Sequence, residues 1–353
     1  MAKDERKKTD SPPKRADIIY SPAWWIPGGH LQTLWGKFFR RQPAAPTRIE
    51  RWDTPDGDFL DVHRIDSTPG TPRVLVLHGL EGTIRSHYAQ ALLNEAIRRG
   101  WGADLLLFRS CGPELNRAKR FYHSGETEDV SFVLERITKE YSSSPLAIVG
   151  VSLGGNVLLK FLGERGNSLP AQLKAAAAVS VPYDLFQSSV RINRGFSRVY
   201  QHYFLGSLRR KALEKAIRYP DLGPIDRIRA VKTLAAFDDL VTGPLHGFRD
   251  AEDYYRRSSS LRYLERIRLK TLLLSAADDP MLPSQVLNQV RRIADRNPAL
   301  QIDFPAKGGH AGFVAGSRPW RPFYYAEHRV GEFFADAFNK SSPWHAVANQ
   351  ESR

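Results

Sequence analysis

The 353-residue sequence holds one cysteine, Cys111, and two methionines. A lone thiol cannot close an internal disulfide, which excludes a stapled secreted scaffold and every cysteine-cluster zinc or iron–sulfur site. A reducing compartment is the expectation. Long hydrophobic runs are missing too: no apolar stretch approaches the ~20 residues of a bilayer-spanning helix. The opening segment MAKDERKKTDSPPKR is charged from its third residue and has no apolar h-region, so no secretory signal is expected. G-x-x-x-x-G-K-[ST], G-x-G-x-x-G and H-E-x-x-H are all absent, and neither a nucleotide cofactor nor a metal is expected. Together these absences point to a cytoplasmic protein, with peripheral contact to an anionic membrane left open.

What is present is globular. Apolar residues make up 42% and charged residues 25%, with 26 Gly and 23 Pro, which excludes bulk disorder. The length suits two ordinary domains or one large α/β domain with an insertion. Lys and Arg number 52 against 38 Asp and Glu, a net charge of +14 that invites a nucleic-acid or anionic-lipid partner. Its distribution matters more than its size. Residues 186–268 carry 17 basic and nine acidic side chains, a net of +8. The acids are interspersed and no nucleic-acid motif accompanies them, so a solvated surface is expected and no nucleic-acid partner.

Residues 1–16 are polar and charged with nothing periodic to bury, and read as a disordered basic tail. The aromatic segment SPAWWIPGGHLQTLWGKFF (21–39) follows, too interrupted by Pro and Gly for a membrane helix and expected to pack on the main body. Two alternating runs around Pro55-Asp56-Gly57 in residues 48–65 predict a hairpin. Short continuous apolar runs then predict parallel strands buried on both faces: RVLVLHG (73–79), ADLLLFR (103–109), LAIVGVS (146–152), KAAAAVSV (174–181), KTLLLSA (270–276) and LQIDFP (300–305). Helices are expected over 86–99, capped by Ser86, and over 127–141, 153–164, 283–295 and 325–338. The fold class is therefore α/β, a mostly parallel central sheet with helices on both faces. Residues 182–269 interrupt the rhythm and read as a helical cap inserted between core segments 17–181 and 270–340, with a C-terminal tail over 341–353.

Gly150-Val151-Ser152-Leu153-Gly154 is a G-x-S-x-G. Alone it is weak, but the apolar run before it and the helical pattern NVLLKFL after it make the strand-turn-helix of a nucleophile elbow. A serine nucleophile needs a base, a group to orient the base and donors for an oxyanion. Asp279, in ADDPMLP after strand 270–276, is the expected acid, with Asp278 as fallback; His310, in KGGHAGF after the last strand, is the expected base. Oxyanion donors are expected from the amides of Leu153 and of Leu80 in HGLEG, with His78 shaping that loop. The order Ser, Asp, His is that of the α/β-hydrolases.

The chain resembles the YheT-type branch of the α/β-hydrolases, which includes fungal medium-chain ethyl ester synthases/esterases and animal ABHD proteins related to phospholipases. The resemblance runs from Trp24 to about Phe338 on GGHLQTLWG, HGLEG, FRSCGPELN, FYHSGETED, VGVSLGGNVLLKFLGE, VSVPYDL, FDDLVTGPLHGF, DAEDYY, SAADDP and GGHAGF. It implies an α/β-hydrolase fold, with Ser152, Asp279 and His310 as nucleophile, acid and base, and hydrolysis of short- to medium-chain acyl esters. Ser110 in FRSCG departs from the glycine more usual there, with no catalytic effect expected. The expected activity is a serine carboxylesterase acting on a small acyl ester or lipid-like ester. The alternatives are an alcohol O-acyltransferase with the same triad and a non-catalytic protein binding anionic membrane or nucleic acid. His30 and Gln32 are expected to anchor the N-terminal segment, His123 and Glu126 to cap a helix, and Asp238, Asp239, Thr242 and His246 to fix the cap's hinge; none is assigned to the site.

Overall fold

The structure is a computed structural model that describes residues 19–340. The two expected tails, 1–16 and 341–353, lie outside the described residues. In chain order the elements are α1 (Gly28–Phe38), β1 (Arg48–Asp53), β2 (Phe59–Ile65), β3 (Arg73–Leu77), α2 (His87–Arg98), β4 (Gly102–Leu107), α3 (Glu128–Glu140), β5 (Leu146–Val151), α4 (Leu153–Arg165) and β6 (Leu173–Val179). Then come α5 (Leu185–Ile192), α6 (Ser197–Arg218), α7 (Ile225–Ala230), α8 (Leu234–Phe237), α9 (Gly243–Leu245) and α10 (Ala251–Ser258), before β7 (Thr271–Leu274), α11 (Ser284–Ala294), β8 (Leu300–Asp303), β9 (Val314–Ala315), β10 (Phe323–Tyr324) and α12 (Tyr325–Lys340).

Eight strands form one sheet in the order β1-β2-β4-β3-β5-β6-β7-β8. The β1–β2 hairpin and the β2–β4 pair are antiparallel; the pairs from β4 through β8 are parallel. Because successive strand side chains face opposite ways, one run feeds two cores. In β5, Leu146 and Ile148 join the core under α3, α4 and α11, whereas Ala147, Val149 and Val151 join the core under α2 and α12. Every β5 side chain is buried, which is why the strand reads as continuously apolar. Truncating such a residue, Ile148→Ala for example, costs about 2–5 kcal/mol.

The aromatic segment forms α1, a helix that the interrupting Pro and Gly had concealed. Ser86 stands at the N-terminus of α2, but its hydroxyl accepts the Thr83 amide at 3.0 Å, turning back to the preceding loop and not capping the helix.

Between β6 and β7 the chain runs through α5 to α10, which hold a core of their own including Leu205, Ala212, Ile228, Phe237 and Val241. Polar ties fasten them to the sheet's loops. Lys215 of α6 donates to the Ala118 and Arg120 carbonyls at 2.5 and 2.8 Å and to Asn116 Oδ1 at 2.7 Å. His246 bridges the Thr242 and Phe121 carbonyls at 2.8 and 3.1 Å.

Candidate active site

β5 passes into α4 with a single residue between them, Ser152, at φ 55° and ψ −121°. A positive φ is costly for a residue with a Cβ and persists only where the surroundings fix it. Two glycines allow the turn. A Cβ at position 150 would stand 2.4 Å from the Gly154 carbonyl oxygen, and one at position 154 would stand 2.4 Å from that of His78. The Ser152 amide donates to the Val179 carbonyl at 2.8 Å, which sets the serine at the carboxyl ends of β5 and β6.

The loop after β8 brings His310 over this elbow. Its backbone amide donates to Thr33 Oγ1 at 2.8 Å, and the next amide, of Ala311, donates to Ser180 Oγ at 2.9 Å. The loop is thus held between α1 and the end of β6. Gln32 completes the clamp: its Nε2 donates to the Val314 carbonyl at 3.1 Å and its Oε1 accepts the Val314 amide at 2.8 Å. His30 does not share this anchoring. Half-buried, it bonds the Tyr200 hydroxyl of α6 at 3.0 Å.

Asp279 is 3% exposed and reaches the imidazole from the loop after β7. One carboxylate oxygen accepts the Met281 amide at 2.8 Å; the other accepts His310 Nδ1–H at 2.8 Å. With Nδ1 donating, Nε2 is left to accept, and the Ser152 hydroxyl donates to it at 2.9 Å. Asp278, the fallback acid, faces away from this line and accepts the Gly309 amide at 2.9 Å. The structure therefore joins Ser152, His310 and Asp279 in one hydrogen-bonded line, an arrangement that can withdraw the serine proton as the oxygen attacks.

The amides of Leu80 and Leu153 have no hydrogen-bond partner among the described residues, and both leucines line the same cavity as Ser152 and His310. The Leu80 loop is shaped by its neighbours. His78, wholly buried, donates from Nδ1 to the Gly79 carbonyl at 2.7 Å and accepts the Phe108 amide at Nε2 at 3.1 Å. Both bonds require the neutral ring, and burial lowers its pKa to about 4.

The cavity above Ser152 measures about 140 Å³. Leu185, Ile192, Phe204 and Leu234 from the inserted helices form much of its apolar wall. Three residues left out of the site on sequence grounds also line it: His123, Asp238 and Thr242. His123 does not cap α3; its Nδ1 accepts the Gly125 amide at 3.1 Å, and Glu126 alone meets the helix start, accepting the Glu128 amide at 2.9 Å. Asp238 opens a π-helical turn (Asp238–Thr242), a distortion found often at functional sites. Its carboxylate accepts the Thr242 and Tyr255 hydroxyls, each at 2.7 Å, and burial raises its pKa to about 6. The adjacent acids of FDDLVTG were the available signal, but spacing alone does not say which face of a short turn meets a cavity. Asp239 points elsewhere, accepting the Ala251 amide at 3.1 Å.

A family model described as the α/β hydrolase fold matches residues 72–316. The chain belongs to the α/β-hydrolase family. This hydrolase is 40% identical over 309 residues to the protein of Escherichia coli (strain K12) named "Putative esterase YheT", covering 86% of this chain and 89% of that one. It is 28% identical over 309 residues to phospholipase ABHD3 of Mus musculus, covering 85% and 74% of the two chains. A monoacylglycerol lipase of Saccharomyces cerevisiae is 28% identical over 279 residues, covering 76% and 60%. Among solved structures, the Pyrococcus furiosus esterase Pf2001 superposes with a TM-score of 0.56 at 18% identity, covering 85% of this chain and 95% of that one, a likeness of fold. The hydrolase thus sits among the esterase and lipase type of its family. Among the described residues no helix is long and apolar enough to cross a membrane, and no group of three His, Cys, Asp or Glu side chains could hold a metal ion.

Proposed function

We propose that the protein is a serine hydrolase of carboxylic esters, with Ser152 as nucleophile, His310 as general base and then acid, and Asp279 orienting the imidazole. The observation that carries this reading is the unbroken line from Asp279 through His310 to the Ser152 hydroxyl on the wall of an apolar cavity. Ser152 Oγ attacks the ester carbonyl while its proton passes to His310 Nε2. The tetrahedral oxyanion takes the unspent amides of Leu80 and Leu153; collapse expels the alcohol, protonated by His310, and leaves an acyl-serine. Water then enters and gives a proton to the same nitrogen as its oxygen attacks the acyl carbon. The bond to Ser152 Oγ breaks to release the acid, and His310 returns the proton to the serine.

The apolar wall above Ser152, formed by Leu185, Ile192, Phe204 and Leu234, suits the hydrocarbon part of an acyl group. Relatives named esterase, phospholipase and lipase support an ester substrate. The test is a kinetic series of p-nitrophenyl esters of increasing acyl length on wild type and Ser152→Ala, with products analysed in added ethanol. Free acid as the product and loss of turnover in the variant support the reading. Ethyl ester as the main product would favour acyl transfer; undiminished turnover by Ser152→Ala would refute the assigned nucleophile.

A further inference from the structure

The helices that wall the cavity also carry an outward surface. From α6, Phe204 faces the cavity and Tyr200 packs beside Met281 and Leu282. On its other side Phe196, Val199 and Tyr203 are 53%, 54% and 59% exposed, at the i, i+3, i+7 spacing of a single stripe running into α6. α1 lies alongside: the His30 ring is 4.9 Å from that of Phe196, and Lys37 Nζ stands 3.5 Å over the Tyr203 ring. α1 adds Leu31 and Phe38, 50% and 63% exposed. Five large apolar side chains exposed on two helices that touch through His30–Phe196 and Lys37–Tyr203 mark a place where something binds.

Charge says what. Residues 18–49 and 185–213, which supply both helices' share of the face, contain no Asp or Glu. Their cations include Lys37, Arg194 and Arg198; the two arginines are exposed and have no carboxylate partner among the described residues. A second copy seated on the same face would bring like charges together in a low-dielectric contact. An anionic bilayer answers both features, since phosphate headgroups neutralise the rim of cations while the aromatic and aliphatic side chains enter the headgroup–acyl boundary.

We propose that the face built by α1 and the first half of α6 docks on the surface of an anionic lipid bilayer. This goes beyond the esterase reading and does not depend on it, because none of the docking residues belongs to the hydrogen-bonded line at Ser152.

The test is co-sedimentation of the full chain with vesicles of phosphatidylcholine, with and without phosphatidylglycerol, repeated with Ser152→Ala so that binding is read apart from turnover. The proposal predicts binding to the phosphatidylglycerol vesicles that weakens with added salt and is equal for wild type and Ser152→Ala. It also predicts binding weaker by at least ~10-fold in Arg194→Glu/Arg198→Glu, from the loss and reversal of two surface cations, and a comparable loss in Val199→Ser/Tyr203→Ser. Near-UV circular dichroism and hydrolysis of a water-soluble ester by both double variants should match wild type. Equal binding to neutral vesicles would overturn the proposal. So would full binding by either double variant, which would assign attachment to another part of the chain, or a dimer that Val199→Ser/Tyr203→Ser dissociates while vesicles are not bound.

Discussion

The Glu81 carboxylate, one residue beyond the Leu80 amide, receives the Lys211 ammonium of α6 at 2.8 and 2.9 Å on its two oxygens. Glu81 also accepts the Tyr122 hydroxyl at 2.9 Å and the Ser207 hydroxyl, and it sits at a left-handed φ of 54°. The loop carrying a proposed oxyanion donor is therefore fastened to the inserted helices, so the position of α6 and the aim of the Leu80 amide are linked. The side chains are 3% and 10% exposed, which makes removal of one partner costly. Glu81→Gln is expected to lower stability by about 3 kcal/mol and to reduce kcat more than it raises KM. Urea titration and steady-state kinetics check both; unchanged kcat in a folded variant would separate the loop from the inserted helices.

The elbow predicts a second outcome. Gly154→Ala must place a methyl 2.4 Å from the His78 carbonyl oxygen and 2.5 Å from that of Leu77, both backbone atoms that cannot swing aside. The strand and helix must part, at a cost of about 3 kcal/mol, and Ser152 must move relative to His310. Loss of ester turnover together with a lowered melting temperature is expected. Full activity in the variant would show that the turn has more room than its geometry allows.

Acid should unfold the protein through its buried histidines. His78 has its pKa lowered by burial to about 4, and burial lowers those of His87, to about 3, and His123 in the same direction. Between pH 6.5 and 4 the unfolded chain holds protons at these rings that the folded chain refuses. Stability from them is complete above pH 6.5 and falls as pH drops through that window, by about 3 kcal/mol for His78 alone. Urea midpoints measured from pH 8 to 4 should decline most steeply below pH 6.5, and a flat profile would refute the neutral, hydrogen-bonded His78.

Asp238 has the opposite sense. Its pKa is raised by burial to about 6, so its charge weakens the fold above pH 6 and the penalty fades as protonation proceeds below it. Asp238→Asn should gain on the order of 2 kcal/mol over wild type at pH 8 and lose that advantage by pH 4. Paired urea titrations at the two pH values decide the matter; an advantage independent of pH would mean that the carboxylate is not the source.

These sites differ in how openly the sequence announces them. Ser152 and Asp279 follow strands buried on both faces, β5 and β7, and His310 lies in the loop beyond the more exposed β8. Each carries its own local mark: glycines flanking the serine, a proline after the acid, two glycines before the histidine. Strand ends and marks are local properties, so a single chain displays them. α1 depends on tertiary contact, with Gln32 bonded to Val314 and Thr33 to the His310 amide, while Pro27 and Gly28-Gly29 read locally as a break. Asp238, Thr242 and His123 reach the cavity through the packing of short helices, which no period in the sequence records. Ser110 shows a third case: its φ of 64° is the left-handed region that favours glycine, which accounts for the glycine expected there from the family resemblance, and its hydroxyl meets Asn116 in compensation.

Whether Ser152 is the nucleophile is decided most sharply by a fluorophosphonate probe followed by peptide mass spectrometry. One phosphonyl adduct is expected, on Ser152, absent from Ser152→Ala and formed far more slowly in His310→Ala. A folded protein that remains unmodified, or an adduct on a different serine that Ser152→Ala retains, would contradict that role.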